Sequence, residues 1–270
     1  MEVVRRSEPE IVASIRDGGR ALVALSGGVD SSLVAALAHE ALGRAAEAVT
    51  LAGPAVSQAE VERARRVAES VGIAHSVLEV DPLVRSEYRA NPTNRCYFCR
   101  SVETAALRSY GDSRGIGQYL DGVHSDDFSD DRPGLRAMDE AGFLHPLAWA
   151  GWTKADVRAA ARARHLPNWD WPSDACLASR VAHGDPISRE LLGRVEAAES
   201  VLLHQGFRRV RVRVHDGGAR LEVDPAEVNR LRSPPIAAEV LDAIRGLGFD
   251  PVTIDPQGYG GRRPSARAVL

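Results

Sequence analysis

The sequence predicts an α/β protein: a parallel-sheet domain over residues 1–168, a smaller C-terminal α+β domain over 169–257, and a tail at 258–270. Three observations lead there. Short apolar runs alternate with helix-period patterns through the first half, which is the arrangement of a parallel sheet covered on both faces. The first run, Ala21 to Leu25, feeds a helical pattern through the tight turn Ser26-Gly27-Gly28. Beyond residue 167 the texture changes to a connector carrying Trp169, Trp171 and Pro172, and then to β-rich runs on either side of Asp216-Gly217-Gly218.

In chain order, a helix at about 8–16 leads into the strand 21–25 and a helix from about 31 to 42, with Leu33, Val34, Leu37 and Ala38 at helical spacing. Glu47 to Leu51 reads as the second strand. Ser57 and Glu60 form a capping box opening a helix with Val61, Ala64, Ala68 and Val71 on one face, and Gly72 ends it. His75 to Val80 is the third strand, 97–110 a helix, and Gln118 to Leu120 a short fourth strand. Another helix opens at Thr153, with Asp156 in the capping-box position, and stops before Pro167. In the second domain a helix at 188–205 precedes strands at 208–214 and 219–223, joined by a hairpin turn. A helix at 235–246 and a strand at 251–254 complete it. The tail, rich in Gly, Arg and Pro, has the composition of a disordered segment.

The turn after the first strand carries the chemistry. In Ser26-Gly27-Gly28-Val29-Asp30-Ser31-Ser32, the paired glycines let successive N–H groups curl into an anion-binding nest. The hydroxyls of Ser26, Ser31 and Ser32 add donors, and the helix N-terminus favours phosphate. No Gly-Lys-Ser/Thr follows, so this is not a Walker loop. The string resembles the PP-loop of the ATP pyrophosphatases, which cut ATP between the α- and β-phosphates. The resemblance implies adenylation of a substrate oxygen, with ATP and Mg²⁺ bound at the loop.

Bulk composition narrows the partners. The chain is 44% hydrophobic and 26% charged with a net charge of −3, which gives no electrostatic footprint for nucleic acid. No apolar stretch reaches the ~20 residues of a membrane span, and the N-terminal segment is too polar for a secretory signal. The expectation is a cytoplasmic protein with no nucleic-acid or membrane partner. Its three cysteines are then not a disulfide framework.

Cys96 and Cys99 form a CxxC pair, and Cys176 stands in Asp174-Ala175-Cys176-Leu177-Ala178-Ser179-Arg180. Isolated cysteines are commonly small core residues, and a CxxC pair also suits redox chemistry. A zinc site needs a fourth ligand, which His183 could supply. Three thiolates with an open fourth position also suit a 4Fe-4S cluster with one iron free to bind sulfide.

These motifs together are similar to one family, LarE, the ATP-dependent sulfur transferases of nickel-pincer nucleotide cofactor biosynthesis. The likeness runs through Ser26 to Ser31, Asn94 to Cys99, Asp121-Gly122-Val123-His124-Ser125-Asp126-Asp127, Arg132-Pro133-Gly134 and Trp152-Thr153-Lys154. It continues through Trp169 to Arg180 and the hairpin from Arg211 to Glu222. The chain departs at Ala182-His183-Gly184 and at Gly258-Tyr259-Gly260-Gly261. The resemblance implies a small-molecule nucleotide substrate, pyridinium-3,5-biscarboxylic acid mononucleotide, whose ring carboxylates are adenylated and converted to thiocarboxylates. It implies a 4Fe-4S cluster on Cys96, Cys99 and Cys176, a separate sulfide source, and a homo-oligomer, a hexamer. In relatives with only the cysteine matching Cys176, that residue gives up its sulfur and becomes dehydroalanine.

The expected roles follow. Asp30 orients Mg²⁺ and the phosphates, although an acid at a helix N-terminus also simply stabilises the dipole. Gly27 and Gly28 admit the phosphates. Asp126 and Asp127 handle Mg²⁺, or cap a helix. Lys154 binds phosphate. Arg180 acts on the Cys176 thiol or a substrate carboxylate. Arg211 and Arg213 alternate on one strand face and grip the nucleotide phosphate, or keep an edge strand soluble. The resemblance places divalent metal at Glu199 and Glu222. Rival classes are a PP-loop tRNA thiolase, an amidotransferase-type synthetase that needs no thiols, and a non-enzymatic nucleotide sensor.

Overall fold

The structure is a computed structural model and describes residues 5–129, 132–171 and 175–260. Pro172 of the expected connector, and 261–270 of the expected tail, lie outside the described residues. The chain forms two compact units, one of residues 1–88 and 92–175, the other of 89–91 and 176–270.

In the first unit α1 (Glu8–Asp17), β1 (Ala21–Ala24), α2 (Val29–Leu42), β2 (Ala46–Ala52), α3 (Gln58–Val71) and β3 (Ala74–Glu79) follow in order. Then come the single turn α4 (Ser86–Arg89), which runs into the junction, α5 (Arg95–Asp112), β4 (Gln118–Leu120), α6 (Pro133–Glu140), α7 (Pro146–Trp149) and α8 (Lys154–Ala163). The strands lie in the order β3-β2-β1-β4, all parallel, with Ala21 facing Ala46 on one side and Gln118 on the other. Alternation along β1 divides the core. Ala21 and Val23 pack with α1, α2, α3 and α8, while Leu22 joins Leu107 of α5, Tyr119 of β4 and Met138 of α6 on the opposite face. The α/β reading thus holds, with both faces of the sheet covered. Helix α2 is apolar almost all round, from Leu33 to Ala38, and is buried accordingly. Ser57 and Thr153 cap α3 and α8 through the boxes they form with Glu60 and Asp156.

The second unit holds α9 (Arg189–His204), β5 (Val210–His215), β6 (Gly218–Val223), α10 (Val228–Arg232), α11 (Ile236–Gly246) and β7 (Val252–Ile254). Its sheet order is β5-β6-β7, with β5–β6 antiparallel and β6–β7 parallel. The hairpin turns through Asp216 and Gly217, both at positive φ, as a two-residue turn matched to strand twist requires. Arg89–Asn91 joins this unit because the buried Asn91 amide donates to Ala182 O (2.7 Å) and Asp185 O (2.9 Å). The change of texture at 167 precedes the junction at 175/176, because Asn168 is bound inside the first unit. At the start of the expected tail, Tyr259 N donates to Val223 O at 2.7 Å. Among the described residues no helix is long and apolar enough to cross a membrane.

Candidate active site

The glycine turn lies at the carboxyl end of β1, where ligands of open parallel sheets bind. Gly27 has φ +79°, and a Cβ there would lie 2.9 Å from Ala64 N, so only glycine lets α3 press against the turn. Gly28 is the N-cap of α2, so the helix starts at Val29, two residues earlier than expected. The serines divide their work. Ser26 Oγ and Ser31 Oγ are 3.0 Å apart, and Ser31 Oγ accepts from Ser26 N at 3.1 Å. Ser26 is exposed and faces outward. Ser32 is fully buried: its hydroxyl donates to Gly28 O (2.7 Å) and accepts from the Asn168 amide (2.9 Å). Ser32 therefore shapes the loop from beneath instead of donating to a phosphate. Asn168 also donates to Gly27 O at 2.8 Å. Sequence reasoning passed over it, because nothing local marks a partner so far along the chain.

Across from the loop stands the 121–127 string. A Cβ on Gly122 would lie 2.5 Å from Ser31 N, so this glycine lets the string touch the first turn of α2. Asp121, at the end of β4, accepts from Val123 N (3.0 Å) and pairs with His145 Nδ1 at 2.7 Å, while His145 Nε2 meets Asp139 at 2.8 Å. Burial works against charge on His145, but the two carboxylates outweigh it and raise its pKa. His124, part of the 121–127 string but given no role from sequence, is buried with Nε2 3.8 Å from Asp30. Its Nδ1 lies 3.5 Å from Asp127 and 3.9 Å from Asp126, and makes no hydrogen bond among the described residues. Lys154 Nζ binds both oxygens of Asp30, at 2.7 and 2.5 Å, and its backbone N donates to Asp126 Oδ2 at 2.9 Å. Asp127 also pairs with Arg132.

Three carboxylates around one imidazole, beside an anion nest, suit Mg²⁺, which takes one or two carboxylates together with phosphate oxygens and waters. The unpartnered His124 nitrogen among them is consistent with a polar guest. Beyond the ends of β2 and β3, Leu51, Ala52, Val80 and Pro82 line a shallow depression together with Glu103 of α5.

Cys96 and Cys99 stand three residues apart at the start of α5, neither in a disulfide, Cys96 exposed and Cys99 half-buried with its Sγ donating to Glu103 Oε1 at 3.3 Å. A Cβ on Gly134 would come within 3.5 Å of Cys96 Cβ, so the Arg132-Pro133-Gly134 string brings the start of α6 against the pair. Two soft thiolates on one helix turn suit an iron–sulfur or zinc site.

In the second unit Cys176 precedes a short 3-10 turn, Leu177–Arg180. Arg180 donates to the Cys176 carbonyl at 3.0 Å and forms a buried two-pronged pair with Glu199, at 2.8 and 3.0 Å. These bonds fix the backbone of Cys176. Glu199 also accepts from Val212 N (3.0 Å). The buried Glu222 lies 3.3 Å from Arg213 and 3.5 Å from Arg220. A divalent ion at Glu199 or Glu222 would have to displace arginines. Arg213 also donates to Ser179 O at 3.0 Å, and Arg211, on the same strand face, lies 5.1 Å from the Tyr259 ring. Burial and the neighbouring Arg180 lower the pKa of Arg213.

A nest at the end of β1, with carboxylates on the facing loop, defines an enzyme of the PP-loop ATP pyrophosphatase class. Residues 11–108 match the NAD synthase family model. A pyridinium-3,5-bisthiocarboxylic acid mononucleotide synthase of Lactiplantibacillus plantarum is 32% identical over 260 residues, covering 96% of this chain and 94% of that protein. An uncharacterized protein of Synechocystis sp. is 39% identical over 240 residues, 89% of this chain and 90% of its own. A tRNA-specific 2-thiouridylase of Rhodospirillum rubrum is 32% identical over 225 residues, 68% of this chain and 59% of that protein. The chain belongs to the LarE-like family of ATP-dependent sulfur transferases within the ATP pyrophosphatases.

Proposed function

We propose that this protein converts the ring carboxylates of pyridinium-3,5-biscarboxylic acid mononucleotide to thiocarboxylates, one ATP being cleaved for each. The observation that carries the reading is the match to the Lactiplantibacillus plantarum synthase over 96% of this chain, in a sequence that itself carries the Ser26 to Ser32 loop and three cysteines. A carboxylate oxygen attacks the α-phosphorus, the bond to the bridging oxygen breaks, and pyrophosphate leaves. A hydrosulfide equivalent then attacks the acyl carbon and AMP departs, with release of one proton.

The chain's residues supply binding and orientation. The amides of Gly27, Gly28 and Val29, with Ser26 and Ser31, receive the phosphates. Asp30, Asp126 and Asp127 would hold Mg²⁺, which screens the leaving charge. Lys154 takes phosphate, and Arg211 and Arg213 grip the substrate phosphate. Cys96, Cys99 and Cys176 would hold a 4Fe-4S cluster, whose free iron supplies a binding place for sulfide. Arg180 and Glu199 hold the main chain at Cys176. The second reading is sacrificial: the Cys176 thiolate displaces AMP to give a thioester, and loss of its Cα proton expels the thiocarboxylate and leaves dehydroalanine.

The test is iron and acid-labile sulfide per chain after anaerobic purification, for wild type and for Cys96→Ala, Cys99→Ala and Cys176→Ala, with pyrophosphate release measured beside it. About four irons in the wild type, lost in each variant, is the expected result. Little iron after reconstitution, with a 34 Da loss at Cys176 after turnover (about one H₂S, by the elimination written above), would replace the cluster with the sacrificial route.

A further inference from the structure

We propose that the Lys154 ammonium and a divalent cation compete for Asp30, so that the nucleotide-free protein keeps the metal seat of Asp30 closed with its own lysine. The inference rests on the reading of the loop as an ATP site and adds to it a resident counter-ion.

Of the 34 lysines and arginines in the chain, Lys154 is the sole lysine. The chain's other permanently charged cationic side chains are guanidiniums, planar forks that chelate carboxylates; only here is the charge a compact ammonium on a flexible stem. Its place in the fold gives that difference a use. Nζ contacts both Asp30 oxygens, at 2.7 and 2.5 Å, so a cation cannot take Asp30 as an ordinary ligand while the ammonium stays.

The root of the side chain is fixed by the main chain, and its end, among the described residues, by the Asp30 pair alone. Thr153 caps α8 through the box with Asp156, and Lys154 N is bound to Asp126 at 2.9 Å. The two charged side chains are 25% and 24% exposed, which leaves water at hand to receive the displaced ammonium. The exchange therefore carries no penalty for stranding a buried charge. His124 Nε2 lies 3.8 Å from Asp30 on the same site, so Lys154 is not the carboxylate's sole basic neighbour. An arginine at 154 would bind Asp30 through two parallel hydrogen bonds and yield less readily.

The experiment uses Mn²⁺ alone, without nucleotide, on the full chain, counting free Mn²⁺ by electron paramagnetic resonance. Lys154→Met is expected to bind Mn²⁺ about five-fold tighter than wild type, the equivalent of a solvent-exposed ion pair of about 1 kcal/mol. Lys154→Arg should gain nothing, and the gain in Lys154→Met should vanish when Asp30→Asn is added. A second readout needs no variant. With a sole lysine, protein labelled with ¹³C at lysine Cε gives one resonance, which should shift as Mg²⁺ is added.

Equal or weaker Mn²⁺ binding by Lys154→Met, a gain that survives Asp30→Asn, or a lysine resonance indifferent to Mg²⁺ would each overturn the proposal. Pyrophosphate release with the pyridinium dicarboxylate nucleotide is read separately. Its absence, beside the expected Mn²⁺ result, would remove the substrate assignment and leave the competition standing.

Discussion

Gly122→Ala asks whether the 121–127 string and the glycine loop work as one piece. The added Cβ would stand 2.5 Å from Ser31 N, 2.8 Å from Asp30 C and 2.9 Å from Ser31 Cα. Ordinary contact begins near 3.4 Å, so the closest approach falls short by about 0.9 Å. All three obstacles are main-chain atoms in the first turn of a helix packed into the core, and none can swing aside. The string must retreat instead, taking Asp126 and Asp127 with it. Overpacking of this kind costs about 1–3 kcal/mol, and a displacement near 1 Å at reacting groups lowers rates on the order of 100-fold. The backbone at 122 is not in the left-handed region, so the effect is steric. Gly217→Ala is the control: φ there is +78° with open space around it, so it strains the hairpin by about 1–2 kcal/mol and leaves ATP binding alone. Urea midpoints, ATP titration and pyrophosphate release measure all of this. A Gly122→Ala protein with wild-type turnover and an unchanged midpoint would refute the coupling.

Three other outcomes are expected. Asn168→Ala removes both amide bonds that hold Gly27 O and Ser32 Oγ in a fully buried place, and should cost about 1–3 kcal/mol with a raised KM for ATP; an unchanged KM would show that the loop holds its shape unaided. Thr153→Ala should lower stability by about 1 kcal/mol through the cap of α8, read by calorimetry against Thr153→Ser, which keeps the cap. For His145, burial disfavours the cation but Asp121 and Asp139 raise its pKa above the ordinary 6.5. Its stabilisation is thus fully present below pH 6.5 and lost as pH climbs through the raised folded value. The midpoint difference between wild type and His145→Gln should shrink as pH rises above 6.5, and a difference independent of pH would show that His145 contributes by packing alone.

The sheet and most helices were legible because apolar runs, capping boxes and glycine turns are local signals. Ser57, Thr153 and the Asp216-Gly217 turn each announce an element within a few residues. Helix α6 was missed because it starts on a proline directly behind an acidic run and has only eight residues. The site was half legible. The nest and the facing acids could be read, but whether a polar residue points at the ligand or into the core could not. Ser31 and Ser32 are adjacent and chemically identical, yet only the rotation of α2 decides that Ser32 meets Asn168. Glu199 and Glu222 show the same limit. Surface glutamates and buried ones look alike in sequence, and the shorter guanidinium contacts, from Arg180 and Arg213, come from other elements.

The sign of the charge in the second unit separates the two expectations attached to it. Arg180, Arg211, Arg213 and Arg220 gather around Glu199, Glu222 and Asp255, which leaves a surplus of positive charge. Burial first, and then the nearby Arg180, lower the pKa of Arg213. A divalent cation at Glu199 or Glu222 would add to the excess while breaking pairs whose loss strands a buried guanidinium. A phosphate monoester would cancel the excess and leave those pairs whole. The same side chains therefore favour a phosphate guest at Arg211 and Arg213 over a metal at the glutamates. Salt-sensitive binding of a nucleoside monophosphate, weakened by Arg213→Met and indifferent to chelators, is what that balance of charge requires.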